Sequence, residues 1–133
     1  MLTIVSRGND TTKVCCELGS TWGCDELGGL YESGAGIADS RLSAFSLYSR
    51  ACAGGFVVGC YHSGRAMIEL DEQAALRDLE RACDGHVAQA CGLRARTMIS
   101  ADPDGDVASL VDQVHAACRG GDSPSCEWLA REL

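Results

Sequence analysis

Apolar and small residues recur along this chain at fixed distances before cysteines. The positions eight, four and one residue ahead of Cys52 are Ala44, Tyr48 and Ala51, and the same offsets from Cys83 give Ala75, Leu79 and Ala82. From Cys118 they give Leu110, Val114 and Ala117. These offsets share one face of an α-helix, so each triplet predicts a helix with one buried stripe. A second cysteine always follows after seven residues: Cys16/Cys24, Cys52/Cys60, Cys83/Cys91 and Cys118/Cys126 make four C-x(7)-C units. Self-similarity at 36, 31 and 35 residues between units marks a repeat architecture.

The spacing predicts a turn inside each unit. Residues eight apart on an unbroken helix lie about 12 Å apart, whereas bridged cysteines need Cα atoms within roughly 4.4 to 6.8 Å. Gly54 with Gly55, Gly85, and Gly120 with Gly121 follow the first cysteine, where a left-handed residue ends a helix. Each unit therefore reads as helix end, tight turn and helix start, stapled by a disulfide. A loop this short contributes about 2.5 kcal/mol by the chain-entropy estimate.

Taken in order, the pattern predicts an irregular start over residues 1–14, with a short helix from Asp10 to Glu17. A helix from Thr21 to about Glu32 follows, with Leu27, Gly28 and Tyr31 at helical spacing. The run 33–39 breaks it, and Asp39 or Ser40 caps a second helix that reaches Ala53. In the middle unit the link shrinks to Glu69-Leu70-Asp71, with Asp71 as cap, whereas residues 100–106 form a full polar loop with Asp106 as cap. A final helix runs from Ser123 or Pro124, with proline in its first turn.

Composition narrows the function classes. A net charge of −8 is the wrong sign for a general nucleic-acid binder. Aromatic residues are only 5% of the chain, so small-residue packing and staples, not a bulky core, carry the stability. Nine cysteines make four pairs and one remainder, Cys15, which stands where later units have Ala51, Ala82 and Ala117. That slot predicts a buried small residue, its thiol free in a monomer or else oxidised in a Cys15-linked dimer. The regular framework points to a periplasmic or secreted protein. The first residues lack a secretion signal's apolar run, so reduced thiols in a cytoplasm stand as the other reading. No stretch is long and apolar enough to span a membrane.

The run GCDELGGLYESGAGIADSRLSAFSLYSRACAGG resembles the Sel-one-like repeat, a relative of the tetratricopeptide repeat, in its LG, LY, G-x-G, A-x-x-x-Y and AC-x-x-G positions. The C-x(7)-C spacing is similar to that of its cysteine-rich branch, the Helicobacter cysteine-rich protein family. The likeness spans residues 15–133 and weakens in later repeats, where Ser63 and Arg94 replace Leu27 and Met67 and Met98 replace Tyr31. It implies an all-α fold: one α/α superhelical solenoid domain of about three and a half repeats, whose first helices line a concave face. Cysteine-rich members are associated with β-lactam binding and weak β-lactamase activity, the alternative function for this chain. No serine motif is present to carry it over.

On such a face, residues one and five positions after each second cysteine point inward. They include Asp25, Tyr61 and Glu127 in one column and Arg65, Arg96 and Arg131 in the other, with Trp22, Glu32 and Gln89 nearby. Aromatic and arginine anchors favour protein recognition, so the leading expectation is a non-enzymatic protein- or peptide-binding module, of adaptor or immunity type, taking an acidic or carboxylate-bearing segment. Arg131 pairing with Glu127 by i, i+4 spacing is the competing structural expectation. Neither a cofactor nor a metal is expected. The cysteine spacing differs from structural zinc sites, Asp102-Pro-Asp104-Gly-Asp106 lacks the calcium-loop register, and Gly34-Ala-Gly36 lacks a preceding strand.

Overall fold

A computed structural model describes residues 7–33 and 41–132, with side chains described from residue 12 onward. The described residues form eight helices and no strand: α1 (Arg7–Glu17), α2 (Thr21–Ser33), α3 (Arg41–Ala53), α4 (Val57–Met67), α5 (Glu72–Asp84), α6 (Ala88–Ala101), α7 (Ala108–Arg119) and α8 (Ser123–Glu132). The first helix starts three residues earlier than the stripe predicts. The expected caps Asp39 and Ser40 and the Gly34-Ala-Gly36 run lie outside the described residues.

All four C-x(7)-C pairs are bridged. Cα atoms stand 4.4 Å apart in Cys16–Cys24, 4.5 Å in Cys52–Cys60, 4.7 Å in Cys83–Cys91 and 4.8 Å in Cys118–Cys126. One backbone motif makes this possible four times. Gly19, Gly55, His86 and Gly121 each carry positive φ and donate to the carbonyl of the first cysteine of their unit. The next residue, Ser20, Phe56, Val87 or Asp122, donates to the carbonyl of the residue before that cysteine. This is the Schellman helix ending, which satisfies terminal carbonyls and reverses the chain. In the third unit the left-handed residue is His86 (φ 69°), one place after the expected Gly85, whose φ is −84°.

The buried stripe is where the spacing places it: Ala44, Tyr48, Ala51, Ala75, Leu79, Ala82, Val114 and Ala117 are all buried. Leu110, the remaining member, is half-buried. Close helix approach compensates for the scarcity of large side chains. Gly28 lies under the Tyr48 ring and Gly64 under Leu79, where an added β-carbon would stand 2.8 Å from the facing atoms. Cys15 takes the alanine slot, its β-carbon facing Gly23 as the Ala51 β-carbon faces Gly59. It is half-buried and is the free cysteine.

Each helix packs on the next, and α2, α4, α6 and α8 also touch one another in turn; no two odd-numbered helices pack comparably among the described residues. Asp71 caps α5, its carboxylate accepting from the Ala74 amide at 3.1 Å. Asp106 does not cap α7, which begins at Ala108 after Val107 with no side-chain cap. Pro124 is the second residue of α8 and needs no donor there.

Candidate functional site

The densest polar cluster lies where α2 meets α4, on the side of the even-numbered helices. Asp25, one residue after the second cysteine of its unit, is 5% exposed, and its Oδ1 stands 2.8 Å from His62 Nδ1. The His62 ring is in turn held between two phenols, with centroids 4.8 Å from Tyr48 and 5.3 Å from Tyr61. One turn along α4, Arg65 donates through Nη2 to Glu32 Oε1 at 2.7 Å, and its guanidinium carbon lies 5.7 Å from the Tyr61 ring centroid. The Tyr48 hydroxyl donates to the same Glu32 oxygen at 3.0 Å. Burial raises the Tyr48 phenol well above its ordinary value near 10, and the hydrogen bond to Glu32 and its charge add to the rise.

These contacts fix side chains that the sequence leaves mobile. The Arg65–Glu32 pair is about half exposed, so as an ion pair it adds little stability. Its consequence is orientation: the guanidinium is pinned over Tyr61, and among the described residues its remaining N–H groups make no hydrogen bond. The pair also borders a mainly apolar cleft of about 600 Å³ whose walls include Phe45, Ala66, Met67 and Ile68.

A second cluster joins α6 to the start of α8. Arg96 donates through Nε to the Gly92 carbonyl at 3.2 Å and reaches Asp122 Oδ2 at 3.5 Å, while Ser125 donates to the same oxygen at 2.5 Å. Asp122 and Ser125 are buried. This cluster seals the α6–α8 joint and turns Arg96 away from a free ladder.

The structure thus sorts the expected face. Glu32, Tyr61 and Arg65 come together, and Asp25 lies beneath them as a buried partner of His62. Trp22 is 55% exposed near the start of α2, and Gln89, Glu127 and Arg131 are exposed. No ion pair forms between Glu127 and Arg131 among the described residues. The bridging cysteines are staples between helices, and Tyr61 packs against the cluster that holds Cys52 and Cys60. Cys16, Cys24, Cys52 and Cys60 are buried, whereas Cys83, Cys91, Cys118 and Cys126 are half-buried, so the last two bridges are the more open to solvent. Sequence reasoning assigned neither His62 nor Asp122 to the site, and it read Tyr48 only as a member of the buried stripe. His62 and Asp25 are 37 positions apart and in different columns of the repeat, so only comparison of neighbouring columns in adjacent units signals the pair.

Among the described residues no group of three or more histidines, cysteines or acids is placed to hold a metal ion. Ser63, fully buried, donates to Asp78 Oδ2 at 2.8 Å and meets Ser49 Oγ at 3.1 Å, a polar thread through α3, α4 and α5. No helix is long and apolar enough to cross a membrane among the described residues. No family model matches the chain, and no curated protein matches it.

Proposed function

We propose that this chain is a non-enzymatic protein- or peptide-binding module: an α-solenoid of Sel-one-like helix pairs that engages its partner on the side lined by α2, α4, α6 and α8. Contacts between successive even helices, without comparable contacts between odd ones, support placing the even helices on the inner, concave layer of such a stack. The observation that carries the binding reading is the Tyr61–Arg65–Glu32 cluster. It holds a tyrosine ring under a pre-positioned, half-exposed arginine, and tyrosine and arginine are both enriched at the energetic centres of interfaces. Among the described residues Arg65 hydrogen-bonds only to Glu32, which leaves donors for a partner's carbonyl or carboxylate and suits an adaptor or immunity-type role. The four bridges support an oxidising, extracytoplasmic setting.

The test is partner capture by the oxidised protein, followed by titration of the captured complex. Arg65→Ala and Tyr61→Ala should each weaken binding at least about tenfold, as truncated anchors do. Thermal unfolding serves as the control, since removing an exposed ion pair leaves the fold nearly unchanged. A partner bound equally well by both variants overturns the reading.

A further inference from the structure

We infer that α4 carries a carboxamide-reading pair, in which His62 Nε2 accepts an N–H from the partner and Arg65 donates to the carbonyl of the same amide group. This inference rests on the partner-binding reading and specifies its chemistry. The argument begins with the buried Asp25. A carboxylate only accepts hydrogen bonds, so the 2.8 Å contact puts the proton on His62 Nδ1 and, in the neutral ring, leaves a lone pair on Nε2. No hydrogen bond reaches Nε2 among the described residues, and none of their buried side-chain nitrogens or oxygens lacks a partner. Nε2 therefore opens to solvent from a side chain that is 25% exposed.

Arg65 supplies the opposite half. Its Nη2 is committed to Glu32, whereas no hydrogen bond from its other N–H groups forms among the described residues, and the fork is held over Tyr61. The His62 ring contacts the same Tyr61 ring. A lone pair and a set of donors are thus fixed beside one aromatic surface, three residues apart on one helix face. A carboxamide offers a carbonyl oxygen and an N–H on one carbon and satisfies both groups. A carboxylate of the same shape satisfies Arg65 but turns its second oxygen toward the Nε2 lone pair, leaving an acceptor against an acceptor. The acidic segment that an arginine ladder suggests is therefore the poorer fit at this position. The amide comes from an Asn or Gln side chain or from the partner's backbone.

The experiment selects short random peptides on the oxidised protein at neutral pH and measures the affinity of single substitutions. Selected peptides should lose binding with Arg65→Ala, and replacing an anchoring Gln by Glu should weaken them about tenfold, the cost of one mismatched polar contact. Alternatively, loss on N-methylation of one backbone amide, with Gln→Glu neutral, assigns the amide to the backbone and also supports the pair. In the double variant Asp25→Asn/His62→Phe the Gln-over-Glu preference should disappear while dependence on Arg65 remains. Peptides that need Arg65 but either prefer Glu at neutral pH or ignore both substitutions overturn this inference alone. Peptides indifferent to Arg65→Ala and Tyr61→Ala, or a selection that yields none, overturn it together with the partner-binding reading.

Discussion

Gly85 packs against Val57 so closely that a β-carbon at position 85 would stand 2.8 Å from Val57 Cγ1 and 2.9 Å from its Cβ. Position 85 is the second residue after Cys83, and the equivalent glycines behave alike: Gly54 meets the Thr21 methyl and Gly120 meets the Ala88 β-carbon. In each case the turn of one unit presses on the first residues of the even helix of the unit before it. The first unit has Leu18 in this slot, 82% exposed.

Gly85→Ala should therefore cost about 1–3 kcal/mol, the usual range for an added methyl in a packed joint. Its φ of −84° suits alanine, so backbone strain contributes nothing to that loss. Leu18→Gly, the same residue type as in the other units, should shift stability by no more than about 0.5 kcal/mol. Urea unfolding of both variants checks the contrast, and equal losses would show that the joint is not the cause.

Tyr48 gives a pH-dependent prediction. Its folded-state phenol titrates above the unfolded value near 10, because burial and Glu32 both disfavour the anion. Stability from the neutral phenol is thus complete below about pH 10 and falls as pH rises beyond it, where the unfolded chain releases a proton that the fold retains. Tyr48→Phe should flatten this alkaline fall, at a neutral-pH cost of about 1 kcal/mol for the lost bond to Glu32. Unfolding against pH in a Cys15→Ala background, which removes the free thiol, measures both.

Removing a single staple should be costly. Cys83→Ser with Cys91→Ser should lower stability by about 2–3 kcal/mol through loop entropy. The core around these bridges has few large side chains with which to offset the loss; Tyr48, Leu79 and Val114 are the largest among those fully buried. Thermal unfolding of the double variant tests this.

The free thiol is also directly countable. Alkylation without reduction should add one label to the folded protein at Cys15, and peptide mapping should recover Cys16–Cys24, Cys52–Cys60, Cys83–Cys91 and Cys118–Cys126. Because the Cys15 β-carbon faces Gly23, labelling of the folded protein should be slower than of the denatured protein. A second label, or a bridge between units, would contradict the register.

The repeat register was readable from the chain itself. Cysteine spacing and the small-residue stripe depend on local geometry, a 3.6-residue helix period and the reach of a disulfide, so they fixed the helices, the four turns and the alanine slot of Cys15. Local geometry also marked Asp71 as a cap. It misplaced the cap of α7 at Asp106: the helix begins one residue later than that cap requires, with Val107 at its N-terminus and no side-chain cap.

What tertiary structure decided is which polar groups meet across the joints. Arg65 and Arg96 look alike in the sequence, five positions after a cysteine. Packing sends one to Glu32 over an aromatic ring and the other to the buried Asp122. Asp25 reads as an exposed face residue, yet α4 covers it and supplies His62. Such pairings depend on the offset and rotation between neighbouring helices, which arise from side-chain packing over dozens of residues and leave no periodic trace in the chain.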